Sequence, residues 1–170
     1  MRNKRDVKFM NIALKQAETA FRNGDYPIGA VLVIDGKVVD KNRNKLYSEK
    51  NWASHAESLL IRDNSRLIKD KIDKENSIVE LYTTVEPCLM CLGIAVLHRV
   101  KRIVYACPDP YGGACHINSK NLSKWYKNRW PAIHKDVCKN KACGLMIEFI
   151  KKQNGGDWHN FLKAYNNILK

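Results

Sequence analysis

The chain has 170 residues, 45% of them hydrophobic, and carries 30 Lys+Arg against 17 Asp+Glu for a formal net charge of +13. This length accommodates one domain, read as 1–170, around a single core, and the apolar content is that of an ordinary globular chain. No charged start with an unbroken apolar run and no stretch of eighteen apolar residues occurs, which argues against an export signal or a membrane span and for the cytoplasm.

In chain order, Phe9, Ile12, Ala13, Ala17 and Ala20 fall at helical spacing over 6–21, with Asp6 as the cap. Asn23-Gly24-Asp25 ends that helix. Two short apolar runs, 30–34 and 38–39, then flank Asp35-Gly36, a dipeptide that signals a tight antiparallel hairpin. A second helix is predicted over 54–62 with His55 and Glu57 in its first turn, at the positive end of the helix dipole. A strand over 77–84, a helix over 88–98 entered through Pro87, and a strand over 102–106 follow. Crossovers of this kind set helix starts side by side at one edge of a sheet. The polar, glycine-containing stretch 109–121 reads as a loop leaving the carboxyl end of a strand, where sites in open sheets form. Trp125, Tyr126 and Trp130 are expected in the core rather than as base-stacking groups. A helix over 142–152 precedes Gly155-Gly156, and 155–170 carries a last helix whose apolar stripe of Trp158, Phe161, Leu162, Tyr165, Ile168 and Leu169 must cover the domain, its pocket or a partner.

The chemistry concentrates in two segments. His55, Cys88 and Cys91 are three soft or borderline ligands that suit zinc and leave its fourth position to water, whose pKa the metal lowers from about 15.7 toward about 7. Glu57 is then a free carboxylate able to take the water's proton, give it to a ring nitrogen and help an amine leave as ammonia. A redox dithiol would not need His55 or Glu57, and a structural zinc site would need a fourth protein ligand. Of the six cysteines, the four outside the Cys-x-x-Cys pair, Cys107, Cys115, Cys138 and Cys143, read as buried or free thiols rather than disulfide partners or a second metal site. The lysines of the second half, Lys120, Lys124 and Lys127 among them, suit phosphates but equally a solvated surface.

His-x-Glu followed by Pro-Cys-x-x-Cys is the signature of zinc deaminases of nucleobases. Together with 25–33 (Asp-Tyr-Pro-Ile-Gly-Ala-Val-Leu-Val) and 84–88 (Thr-Val-Glu-Pro-Cys), it makes the chain resemble the cytidine deaminase-like superfamily, in the branch of tRNA adenosine deaminases, guanine deaminases and fungal cytosine deaminases. The resemblance implies a three-layer α/β/α sandwich around a five-stranded mixed sheet, and usually a dimer. It also implies that Asn44 and the backbone at Ala56 read the base while Ile28 packs near it. Residues 104–114 resemble the strand and loop of bacterial tRNA adenosine deaminases, where Asp109 would border the RNA. Residues 145–150 with Asp157-Trp158 instead resemble the end of fungal cytosine deaminases, whose closing helix covers a small-molecule pocket. The expectation is deamination of adenosine in tRNA, against a salvage reaction on a free base or nucleoside, and more remotely a non-catalytic zinc module that binds nucleic acid.

Overall fold

A computed structural model describes residues 4–170. Helix α1 (Lys4–Arg22) leads into strands β1 (Gly29–Ile34) and β2 (Lys37–Arg43), followed by α2 (Ala56–Asp63), α3 (Ser65–Glu75), β3 (Val79–Val85), α4 (Leu89–Leu97) and β4 (Arg102–Cys107). A 3-10 turn at Ser119–Asn121, the short α5 (Lys124–Lys127), β5 (Ala132–His134), α6 (Lys139–Lys151) and α7 (Trp158–Ile168) complete the chain. The strands form one sheet in the order β2-β1-β3-β4-β5. The β1 pairings with β2 and β3 are antiparallel, whereas β3 with β4 and β4 with β5 are parallel. The expected five-stranded mixed sheet is therefore present.

Side-chain alternation along β1 divides the core in two. Val31 and Val33 face one way, with Phe9, Met10 and Ala13 of α1, Ala142, Met146 and Ile150 of α6, and Tyr165 of α7. Ala30, Leu32 and Ile34 face the other, with Leu60 and Ile61 of α2, Ile68 of α3, and Leu92, Ala95 and Val96 of α4. Helices thus cover both faces, and β1 and β3 are buried along their whole length, as strands sandwiched between two helical layers must be. The edge strands are managed differently: β2 is largely exposed and carries Lys37, Asp40, Lys41 and Arg43, and β5 has only three residues, both of which discourage edge-to-edge pairing. The β1–β2 turn runs through Asp35 and Gly36, both at positive φ (49° and 75°), the conformation that favours Asp-Gly. At Gly29 a Cβ would lie 2.1 Å from the Ala13 carbonyl oxygen, so glycine there lets α1 lie directly against the start of β1.

Far from the C-terminal strand ends, Arg102 joins Asp6 (Nη2 to Oδ2, 2.6 Å) and Glu80 (Nη1 to Oε1, 3.0 Å), while the Tyr82 hydroxyl donates to Asp6 Oδ1 at 2.8 Å. Burial pushes the Asp6 carboxyl up, but the hydrogen bonds from Arg102 and Tyr82 and the guanidinium charge outweigh it and hold the group below the usual carboxylate range.

Two expectations need correction, and two elements, α3 and β5, form where the sequence predicts none. Helix α3 follows α2 directly, with Asn64 between them donating to the Leu60 carbonyl and to Asp40. Three residues at 132–134 pair as β5, too short a run to show alternation. Trp125 and Tyr126 are 43% and 40% exposed rather than in the core, because α5 lies outside the helical layers; only Trp130 packs against a core cluster. Finally, Cys107 and Cys143 form a disulfide, since the last residue of β4 meets the first turns of α6 across the core; Cys115 and Cys138 remain free.

Candidate active site

Two helix starts converge beside the carboxyl ends of β3 and β4. His55 is the N-cap of α2 and Cys88 the N-cap of α4, both with extended backbone, and neither side chain makes a capping hydrogen bond. The two side chains turn toward each other instead. His55 Nδ1 lies 3.5 Å from Cys88 Sγ and 3.6 Å from Cys91 Sγ, and the three donors form the metal-competent group among the described residues. A tetrahedral ion with bonds of about 2.0–2.1 Å to nitrogen and about 2.3 Å to sulfur separates those atoms by about 3.6 Å, so the spacing fits zinc. The donor set already shares charge. Hydrogen bonding from Cys91, and then His55, holds the Cys88 thiol down to about 4, while the same bond to Cys88 and burial push Cys91 up. The bond with Cys88 raises His55 against its own burial.

Glu57, in the first turn of α2, is buried with its Oε2 3.6 Å from Cys91 Sγ. Its Oε1 accepts from the Thr83 hydroxyl at 2.9 Å. Burial is the largest influence on this carboxyl and pushes it up.

Beside this cluster lies a cavity of about 360 Å³. Of the residues singled out from sequence, His55, Ile28, Asn44 and Asp109 line it; Ala56, buried at the first position of α2, is not part of its wall. Asn44 is buried, and its Oδ1 accepts from the Leu46 N–H at 3.0 Å, which leaves its amide nitrogen to serve a ligand. Sequence reasoning missed most of the apolar wall: Tyr26, Trp52, Val85 and Tyr111, together with Met146 and Ile150 of α6 and Trp158, Phe161 and Tyr165 of α7. The apolar stripe of the last helix is the signal: Trp158, Phe161 and Tyr165 line the cavity, while Leu162 and Ile168 pack against the core. Tyr111 stacks on Phe161 with ring centroids 3.9 Å apart.

The loop after β4 is fixed by Glu86, whose carboxylate accepts from the N–H groups of Asp109 (3.2 Å) and Cys115 (3.0 Å). Gly113 bridges to Cys88 in an isolated antiparallel pair, and a Cβ on it would lie 2.6 Å from the Asp109 carbonyl oxygen and from Glu86 Oε2. Glycine is therefore required where the loop passes the metal segment.

A mixed sheet between helical layers, with a His/Cys/Cys zinc group and a buried glutamate at its helix starts, defines a zinc-dependent nucleobase deaminase. The cytidine and deoxycytidylate deaminase zinc-binding region matches residues 3–107, and the chain belongs to that family. It is 32% identical over 160 residues to the tRNA-specific adenosine deaminase of Buchnera aphidicola subsp. Schizaphis graminum, covering 90% of this chain and 99% of that protein. The tRNA-specific adenosine deaminase of Bacillus subtilis is 31% identical over 148 residues, 86% of this chain and 89% of that one. Among solved structures, one from studies of A-to-I editing by tRNA:A34 deaminases at the wobble position superposes with a TM-score of 0.63 at 27% identity, covering 81% of this chain and 98% of that chain. Guanine deaminase from Nitrosomonas europaea shares the fold with a TM-score of 0.68 at 20% identity, over 84% of this chain and 83% of that chain.

Proposed function

We propose that this chain deaminates adenosine to inosine in tRNA. The observation that carries the reading is the match to tRNA-specific adenosine deaminases over nearly their whole length, at 32% and 31% identity, joined to a site with the donors and the acid that hydrolytic deamination needs.

His55, Cys88 and Cys91 would hold zinc, which when bound supplies a Lewis acid that makes water nucleophilic near neutral pH. Glu57 takes the proton of the attacking water and passes it to the ring nitrogen beside the amine-bearing carbon. It then moves the second proton to the departing amine, so that water and the aromatic amine become the ring carbonyl and ammonia. Thr83 fixes one carboxylate oxygen, leaving the other to face the reacting atoms. Asn44 donates to the base, the N–H at Ala56 lies at the positive start of α2, Ile28 packs on the ring, and Asp109 borders the nucleotide as it enters.

The covering of the cavity by Trp158, Phe161 and Tyr165 favours a second reading, salvage of a free base or nucleoside. Mass spectrometry of zinc-loaded protein with unmodified tRNA, free bases and nucleosides in parallel separates the two. Inosine confined to tRNA supports editing; product from a free base or nucleoside overturns it. Exposed Lys120, Lys124 and Lys127 are the phosphate contacts of the editing reading, and alanine at all three should lower tRNA affinity and reduce its salt dependence. Glu57-dependent ammonia release removes the non-catalytic module.

The assembly we propose is a homodimer of 1–170 domains in which 155–170 forms the covering element. Its support is a row of apolar side chains on α4, with Leu89, Met90 and Leu97 at 67%, 41% and 57% exposure; light scattering of Leu89→Asp/Leu97→Asp against wild type tests it. The cytoplasm is the proposed compartment, and no helix among the described residues is long and apolar enough to cross a membrane.

A further inference from the structure

We propose that Trp52 is the stacking platform for the nucleotide adjacent to the one that enters the cavity. The inference rests on the RNA reading above and specifies one residue of its substrate recognition.

Trp52 is 84% exposed, the highest value among the exposed large apolar side chains, yet it lines the cavity rim. It sits three residues before the metal ligand His55, in a turn that is fastened throughout. The Ser54 N–H donates to the Asn51 carbonyl (3.1 Å), and the Ala53 N–H donates to Asn51 Oδ1 (3.0 Å). The base of the loop closes through Asn51 N–H to Leu46 carbonyl (3.1 Å) and Lys45 N–H to Ser54 carbonyl (2.9 Å), and Ser54 Oγ donates to Glu49 (2.6 Å). The backbone thus holds the indole out to solvent at a fixed place beside the site, where no aromatic ring of the described residues meets it. Other aromatic rings of the rim are satisfied internally: Tyr26 stacks with Tyr47, and Tyr111 with Phe161.

An indole held in water by a rigid turn loses the burial free energy that a Trp normally contributes, unless a ligand covers it. The chemistry of the site supplies that ligand. A base delivered into the cavity must leave its stack, so its neighbour loses a face that an aromatic ring at the rim can replace, whatever the neighbour's sequence. Lys50, exposed and without an ion-pair partner among the described residues, stands two residues away to meet the connecting phosphate.

The test is steady-state deamination of a stem-loop RNA with the target adenosine in its loop, with intact neighbours or an abasic residue on its 5′ or 3′ side, by zinc-loaded wild type, Trp52→Phe and Trp52→Ala. Trp52→Ala should raise KM on intact RNA by about tenfold, with Trp52→Phe between the two. One abasic neighbour should raise the wild-type KM comparably, and add nothing in Trp52→Ala. The side chain supports no packing, so the melting temperature should stay unchanged. Equal KM for all three proteins, or an abasic penalty that persists undiminished in Trp52→Ala, overturns the proposal while leaving the RNA reading intact. A change of oligomeric state in Trp52→Ala assigns the indole to a second copy and likewise overturns it. Wild-type protein that makes no inosine in RNA, but does act on a free nucleoside, overturns both.

Discussion

The Tyr165 hydroxyl donates to Asp109 Oδ1 at 3.2 Å, tying the last helix to the loop that leaves β4. Burial, followed by the Asp109 charge, pushes the Tyr165 hydroxyl up, so it remains a donor at every physiological pH. Because Tyr165 and Asp109 both line the cavity, the bond fastens roof to rim. Tyr165→Phe should destabilise the protein by about 1 kcal/mol in urea unfolding, and amide exchange in α7 should accelerate while that of β3 stays unchanged. Uniform acceleration through the core would show that α7 does not open on its own.

Glu57→Gln keeps the volume of the buried side chain and an acceptor for Thr83 but removes the proton carrier. Ammonia release should fall by roughly 10²- to 10⁴-fold at unchanged zinc content, measured by metal analysis on the same samples. Residual activity near wild type would remove Glu57 from the proton path.

Cys91→Ser leaves His55 and Cys88 without the third donor. Zinc bound per chain should drop well below that of wild type, and the lost activity should not return on adding zinc at concentrations that reactivate chelator-treated wild type. Full retention of metal would place the ion elsewhere.

Much of this site was legible because its signals are local. Each ligand lies at a helix start marked by its own neighbours, with Pro87 ahead of Cys88, and the Asp35-Gly36 turn marks the hairpin that leads toward Asn44. The last helix is legible as an apolar stripe and through the resemblance of 145–150 with Asp157-Trp158 to a closing helix, but its contacts with Tyr111 and Asp109 are not, since those residues lie some fifty positions away in sequence. Spacing gave no sign of the Cys107–Cys143 pairing, which depends on where α6 crosses β4. Helix α3 escaped for the opposite reason: it buries little beyond Ile68, so its charged sequence resembles a loop.

The Asp6–Arg102 pair predicts a pH dependence. A carboxyl whose folded value is depressed contributes stability above its unfolded value of about 3.9, and that contribution is lost as pH falls through the folded value. Asp6→Asn should therefore cost most of its stability at pH 7 and progressively less below pH 4. Arg102→Met, which takes the two hydrogen-bonded guanidinium contacts from buried Asp6 and leaves Glu80 to Arg5 (Nη2 to Oε1, 2.7 Å), should be destabilising by about 3 kcal/mol at pH 7. Parallel stability curves for wild type and Asp6→Asn down to pH 2 would show that the pair carries no linked proton.

The two amides held by Glu86 make the metal segment and the loop after β4 one mechanical body, since Pro87 and Cys88 follow directly and Gly113 pairs with Cys88. Order imposed at either end is shared by the other, and thermodynamic reciprocity sets the terms: whatever factor zinc adds to base affinity, a bound base must add to zinc affinity. A nucleobase analogue should accordingly slow zinc loss to a chelator, and Glu86→Gln should weaken that protection before it weakens either ligand alone.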